Sequence, residues 1–437
     1  MSSGIDRRSL IQGGLASTLL GAGGRLNPMN WLKKAPRPNI LLIMADDLGV
    51  ECLRSYGGTS YRTPVLNALA QAGTQWENCF STPLCTPSRV QILTGRYPFR
   101  TSWNQLIDNR PRGKQFMNPH VETTFGNLLR DAGYRTAVAG KWQLCHFTDY
   151  PRHAKVCGFD EHLLWMWKDD GQRQPRYWNS VMWRNGRRFV PKPKKYAPDL
   201  CVDFLTRFIE RNQDAPFLAY FPMILPHGPH LPTPFDDPAA PRMKKNKAYF
   251  ASMVHYMDNL VGRLINTLQQ LGLRENTLVI FTADNGTKKT ITSRRNGVWV
   301  KGGKSKLIDA GCHVPLIANQ PGVVPAGRSV DDLVDLSDFL PTLADLAGAN
   351  LPDGITIDGR SFAPRLMGES QRERSWVYME LGPNRCVRDQ RYKLYNDGSF
   401  YDLQSDPYEQ NSLGGNNINP AALVARGKLQ WSLGQLR

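Results

Sequence analysis

Pro38-Asn39-Ile40-Leu41-Leu42-Ile43-Met44-Ala45, ending in Asp46-Asp47-Leu48-Gly49, is the stretch whose reading decides the fold. A strand with one face in water alternates apolar and polar residues. This run does not alternate, so it predicts a strand buried on both faces, as at the centre of a parallel sheet. The expected class is therefore α/β: a large, mostly parallel sheet flanked by helices. Open sheets of this kind hold ligands beyond the carboxyl ends of their strands. Asp46 and Asp47 stand at that end and repel each other unless a cation lies between them, which suits a hard divalent metal. A helix N-cap with a solvated neighbour is the alternative for this pair taken alone.

Further runs fit the same plan. Tyr134 to Ala139 reads as a strand leading into Gly140-Lys141-Trp142-Gln143-Leu144, and Phe217 to Ile224 as one leading into Pro226-His227-Gly228-Pro229-His230. Thr277 to Ala283 delivers Asp284-Asn285-Gly286. Asp46, Asp47, Asp284 and Asn285 offer oxygen donors only, which favours Ca²⁺ or Mg²⁺ over zinc. Helices are predicted over Val65–Ala72, Thr123–Ala132, Asp199–Asn212, Ala248–Leu271 and Val334–Gly348. From about residue 366 short strands take over, around Trp376-Val377-Tyr378, Tyr392 to Tyr395 and Phe400 to Leu403. These predict a small C-terminal α+β subdomain (366–437) after a main domain (36–365).

Cys85-Thr86-Pro87-Ser88-Arg89, followed by Leu93-Thr94-Gly95-Arg96, adds a nucleophile. Pro87 suits the first turn of a helix, which sets Cys85 at a helix N-terminus, where backbone N–H groups favour anions. A lone cysteine is more often an inert buried thiol. This signature resembles that of the type I sulfatases, within the alkaline phosphatase superfamily. Matching segments recur in family order: Gly140-Lys141-Trp142, Pro226-His227, Asp284-Asn285-Gly286, Gly302-Gly303-Lys304, and Tyr401-Asp402-Leu403 near the C-terminus. The resemblance implies an alkaline-phosphatase-like fold and hydrolysis of a sulfate ester. It implies that a maturation enzyme oxidises Cys85 to formylglycine, which joins Asp46, Asp47, Asp284 and Asn285 at the metal. Arg89, Lys141 and Lys304 would handle negative charge, and His227 would protonate the leaving group, with His230 as its neighbouring alternative. Lys141, Gln143, His227 and Lys304 would contact the sulfate. Two positions depart from the pattern: Gln143 stands where the family has histidine, and His313 stands where arginine is usual, after the acid Asp309.

The net charge of +17 favours a polyanion, and no nucleic-acid-binding signature accompanies it. Residues 147–197 interleave Trp165, Trp167, Trp178 and Trp183 with Arg173, Arg176, Arg184, Arg187 and Arg188, a composition that could stack sugars and bind their sulfates. Substrate contacts are also expected near Arg385 and Arg388. A sulfated carbohydrate is therefore the expected substrate. A phosphonate or phosphate ester hydrolase and a non-catalytic glycan-binding relative are the competing readings. Asp6-Arg7-Arg8-Ser9-Leu10 before the weakly apolar run Gly13–Gly24 predicts a twin-arginine-type export signal over residues 1–35 and a periplasmic or extracellular protein. Five basic residues and one acid lie there, so the remainder carries +13. No run is long and apolar enough for stable membrane insertion. Eight scattered cysteines without paired metal-type spacing predict few disulfides or none.

Overall fold

The computed structural model describes residues 37–111, 113–169, 171–370, 374–414 and 418–436. The predicted export signal lies outside them. Asn39–Ala45 (β1) is a strand with all seven residues buried. It pairs in parallel with Phe217–Pro222 (β7) on one side and Thr277–Ala283 (β8) on the other. The register sets Ala45 beside Ala283, so the carboxylates following β1 and β8 emerge next to each other.

Around this centre lie Thr74–Phe80 (β2), Arg135–Lys141 (β3), Glu161–Trp165 (β4), Met182–Arg184 (β5) and Arg187–Phe189 (β6). His313–Asn319 (β9) and Arg328–Asp335 (β10) complete a ten-stranded sheet of order β10-β2-β9-β8-β1-β7-β3-β4-β5-β6. β9 runs antiparallel to both neighbours, and β5 runs antiparallel to both of its own; every other pairing is parallel. The sheet is thus mixed but mostly parallel.

Two groups of helices cover it. Pro64–Gln71 (α1), Ala197–Arg211 (α4) and Tyr249–Gln270 (α5) pack together, as do Cys85–Thr94 (α2), Phe125–Asp131 (α3) and Phe339–Ala347 (α6). α4 and α5 present apolar stripes to the core while their opposite faces stay polar. All ten residues of α2 are buried, which fixes the helix that carries Cys85. It stops at Gly95 in the left-handed conformation (φ 68°), where a side chain would press on Ile357 and Leu340.

The C-terminal part is an antiparallel sheet of Val377–Leu381 (β11), Asn384–Arg388 (β12), Tyr392–Tyr395 (β13) and Phe400–Asp402 (β14). Pro420–Gln435 (α7) packs on it. One predicted element is corrected. Val334 does not begin a helix but lies in β10, and α6 starts at Phe339 after a short 3₁₀ turn. The eight cysteines are buried and unpaired. Among the described residues no helix is long and apolar enough to cross a membrane.

Candidate active site

Three strand ends and one loop converge on the first turn of α2. β1 contributes Asp46 and Asp47. Successive strand residues point to opposite faces, but Asp47 adopts φ 66°, which turns the chain so that both carboxylates aim at the same place. β3 contributes Lys141 after Gly140, whose φ is 135° and where a Cβ would collide with the Pro222 carbonyl of β7. β8 leads into Asp284 and Asn285. The loop after β7 carries His227, whose backbone carbonyl accepts from the Tyr177 hydroxyl, which also lies 3.0 Å from the Ile224 carbonyl.

Cys85 is the first residue of α2, and its Sγ lies 3.5 Å from Asp46 Oδ1 and 3.7 Å from Asp47 Oδ1. One donor atom from each of Asp46, Asp47, Cys85 and His227 falls within 4.8 Å of the others. Four cations surround this group. Lys141 Nζ donates to Asp46 Oδ1 at 2.8 Å, and Arg176 Nη1 donates to Asp46 Oδ2 at 3.1 Å. Arg89 forks onto Asp284 Oδ2 at 3.0 and 2.7 Å and holds the Lys141 carbonyl at 2.8 Å. Lys304 reaches Asp47 Oδ1 and approaches Cys85 Sγ at 3.2 Å. Three carboxylates facing four cations leave the cluster net positive before any ligand arrives.

The electrostatics follow from this crowding. Burial would raise the Asp46 carboxyl, but Lys141, His227, Arg89 and Arg176 together hold it well below the usual range. Asp47 is likewise lowered, with His227 and Lys304 outweighing burial. Burial and the neighbouring Asp46 raise Asp284 despite Arg89. The Cys85 thiol is pushed up to about 12 by burial and by Asp284, against Lys141 and Lys304. It is therefore a protonated, weak nucleophile as it stands. His227 is held well below its ordinary value by burial and by Arg176.

Two oxygen atoms in the cluster stay unpaired. Asp47 Oδ2 and Asn285 Oδ1 are buried without a hydrogen-bond partner, although Asn285 Nδ2 donates to Asp47 Oδ1 at 2.8 Å. Orphaned buried acceptors beside carboxylates fit a hard cation.

A family model for sulfatases matches residues 38–349. The chain belongs to the sulfatase family. A second model, described as the C-terminal part of N-sulphoglucosamine sulphohydrolase, matches residues 303–425. Human steryl-sulfatase is 31% identical over 77% of this chain and 71% of its own length. Dog N-acetylgalactosamine-6-sulfatase is 32% identical over 87% of this chain and 74% of its own. Among solved structures, Ps i-CgsB in complex with k-i-k-neocarrahexaose superposes with a TM-score of 0.76 at 25% identity, covering 91% of this chain and 93% of that one. The protein is a sulfatase, a sulfuric ester hydrolase.

In this sulfatase the motif residues Asp46, Asp47, Cys85, Arg89, Lys141, His227, Asp284, Asn285 and Lys304 come together. Gln143 makes no hydrogen bond to the cluster; it has φ 59°, and its Oε1 is buried without a partner. His230 packs edge-on against Phe250, so His227 is the histidine of the site. His313 is stacked on Phe80 and bonded to the Glu77 carbonyl at 2.7 Å, away from the cluster. The insert is corrected in part. Trp165 and Trp178 are buried, with indole nitrogens bonded to the Pro175 and Pro232 carbonyls, so neither can stack a sugar. Arg388 is also removed from the substrate contacts: it is buried against Asp309 at 2.6 Å and lies 4.4 Å over the Phe80 ring. Arg385 faces the Leu436 carbonyl at 3.4 Å. Sequence reading named Arg176 only among the basic residues of the insert and gave it no place at Asp46. No motif marks it, because its approach to Asp46 depends on how the insert folds over Trp165, whose ring its guanidinium covers at 4.2 Å.

Proposed function

We propose that this sulfatase removes sulfate from a sulfated carbohydrate, with position 85 as its nucleophile. The observation that carries the reading is the Cys85 side chain, buried at a helix N-terminus between two aspartates and Lys304, in a pocket with more cations than carboxylates. The sugar substrate is supported by the basic excess of the chain and by the names of its relatives, an N-acetylgalactosamine-6-sulfatase and a structure holding a neocarrahexaose.

A thiol pushed up to about 12 would work poorly, which supports its conversion by a maturation enzyme to formylglycine. When hydrated, that aldehyde supplies geminal hydroxyls for attack on sulfur. Asp46, Asp47, Asp284 and Asn285 would hold Ca²⁺ or Mg²⁺, and the two orphaned oxygens are the local fit. When bound, the cation supplies positive charge beside position 85. Sulfur is the one soft donor among these oxygens, so an oxygen there completes a hard set.

The remaining steps belong to the chain's own side chains. Arg89 fixes Asp284 and, through the Lys141 carbonyl, the end of β3. Lys141 and Lys304 would place ammonium groups on the sulfate oxygens as charge moves to the leaving group. The Gly228 carbonyl accepts from His227 Nδ1, which leaves Nε2 facing the pocket, 3.6 Å from Asp47 Oδ2. The negative charge of an arriving ester offsets the field of Arg176 and favours the imidazolium, whose Nε2 proton can go to the departing alkoxide. Gln143 cannot serve as a base, so the release of sulfate from position 85 is left to water or another group. Residues 1–35 would export the protein through the twin-arginine route, 36–365 would form the catalytic domain and 366–437 the packing subdomain.

The test is mass spectrometry of the tryptic peptide Thr63–Arg89 from protein matured in its own host, alongside sulfate release from sulfated oligosaccharides. The expected result is an aldehyde in place of the Cys85 thiol, with turnover that Cys85→Ser abolishes without unfolding the protein. Full turnover with an unmodified cysteine, or with a serine variant, would overturn the scheme.

A further inference from the structure

Between Asn285 and Lys304 the chain forms a two-stranded ribbon, Thr292–Arg295 with Val298–Lys301, which the catalytic reading leaves unused. Its turn is Asn296-Gly297, with φ 48° and 82°, the two positive values a tight hairpin of this twist requires. Directly opposed residues share a face, so Arg294 and Trp299 stand together with Thr292 and Lys301. The other face is fastened to the body. Ser293 is buried against the Tyr61 hydroxyl at 3.0 Å, and Arg295 Nε donates to the Tyr56 carbonyl at 2.8 Å. The turn and the second strand are anchored besides: Asn296 N–H donates to the Gly57 carbonyl at 2.9 Å, and the Tyr408 hydroxyl donates to the Trp299 carbonyl at 3.3 Å.

The open face is unusual in three respects. Trp299 is 65% exposed, although a tryptophan ordinarily buries most of its ring. Residues 287–304 contain six lysines and arginines and no acid. Lys288, Lys289, Arg294 and Lys301 are exposed and form no ion pair among the described residues. The stem of the ribbon is also continuous with the catalytic rim. Thr287 Oγ1 accepts from Gly49 N–H at 3.0 Å, two residues beyond Asp47, and Lys304 N–H donates to the Thr287 carbonyl at 3.0 Å.

We infer that the open face of this ribbon is a polymer subsite: Trp299 stacks on a sugar ring while Arg294 and Lys301 take sulfates of units flanking the one held at Cys85. An aromatic ring is the surface that a sugar's C–H face can cover, and a basic strip without acids is complementary to a chain sulfated at intervals. A duplex nucleic acid would use the cations but has no unstacked base for the indole. The inference rests on the carbohydrate sulfatase reading, and binding tests it independently of turnover.

The experiment measures binding of the full chain to dextran sulfate across a salt series, with unsulfated dextran and duplex DNA as comparisons and 4-nitrophenyl sulfate as a small substrate. Trp299→Ala is expected to weaken dextran sulfate binding about tenfold, or about 1.4 kcal/mol. Arg294→Ala with Lys301→Ala weakens it further and flattens its salt dependence. All variants keep the wild-type rate on 4-nitrophenyl sulfate. Unchanged dextran sulfate binding in both variants overturns the subsite. So does a Trp299→Ala protein that binds as wild type while the double variant loses dextran sulfate and DNA alike, which is a plain polyanion patch. Failure of every form to hydrolyse any sulfate ester would instead strike the catalytic reading, with the binding series still deciding the ribbon.

Discussion

Arg176 shows what a single side chain outside the motifs contributes. Asp46 is met by Lys141 at 2.8 Å, Arg176 at 3.1 Å and Arg89 at 3.7 Å, and of these only Arg176 comes from the insert. Its guanidinium lies over the Trp165 ring, which limits the rotamer freedom it loses when it meets an anion. Arg176→Met is expected to lower kcat/KM on a sulfate ester roughly a hundredfold, the lower end of what a lost charge-stabilising donor costs. Arg176→Lys keeps the charge but not the plane and should recover part of the loss. Steady-state kinetics of the two variants would check this, and equal losses would show that charge alone at position 176 contributes nothing. Asp46, Asp47, Asp284 and Asn285 were legible because they follow buried apolar strands, and Cys85, Arg89, Lys141, His227 and Lys304 because their motifs resemble those of the sulfatases. Arg176 and Arg388 were not, because nothing local in the sequence says which arginine of a basic segment will face Asp46 or Asp309.

The same division holds for elements. β1, β7 and β8 are buried on both faces, and their unbroken apolar runs announce them. β2 (Thr-Gln-Trp-Glu-Asn-Cys-Phe) and β10 (Arg-Ser-Val-Asp-Asp-Leu-Val-Asp) lie at the far end of the sheet, and their mixed patterns gave no strand signal. Val334 near the end of β10 and Leu336 just beyond it therefore merged, on paper, with the apolar stripe of α6. The joint between the large sheet and the C-terminal one was equally hidden. Arg388 of β12 is bonded to Asp309 at 2.6 Å and to the Asp389 and Gln390 carbonyls. Burial would raise Asp309, but Arg388 and Lys393 hold it down at about 2. Arg388→Ala leaves that carboxylate facing a half-empty site and should cost about 3–5 kcal/mol of unfolding free energy in a denaturant titration. The depressed carboxyl contributes stability above its unfolded value that is lost as pH falls towards 2. The variant's acid limb should accordingly be shallower, and a loss below about 1 kcal/mol would mean that the joint does not depend on this pair.

Across the whole molecule, four imidazoles outside the catalytic cluster are built in as neutral groups. Burial lowers His153, His162, His230 and His313 to about 4. For His153 the hydrogen bonds give the reason directly. Trp142 Nε1 donates to its Nδ1 at 3.0 Å and its Nε2 faces the Met117 carbonyl at 2.6 Å, so a second ring proton would point at a donor. In the unfolded chain these residues titrate near 6.5. Between about 6.5 and 4 the unfolded state therefore binds protons that the folded state refuses, and stability falls as pH drops. Each imidazole contributes about 1 kcal/mol of this loss by pH 5.5, so the four together amount to a few kcal/mol. Denaturant titrations at pH 7.5 and 5.5 should show that difference, well above the range in which Asp309 acts. His153→Phe, which removes one of the four, should show a smaller difference between the two pH values even where its stability at pH 7.5 is lower. A profile flat from pH 7.5 to 5.5 in the wild-type protein would mean that these rings already titrate in the folded state, and that the packing around Trp142 and Phe80 opens to admit the proton.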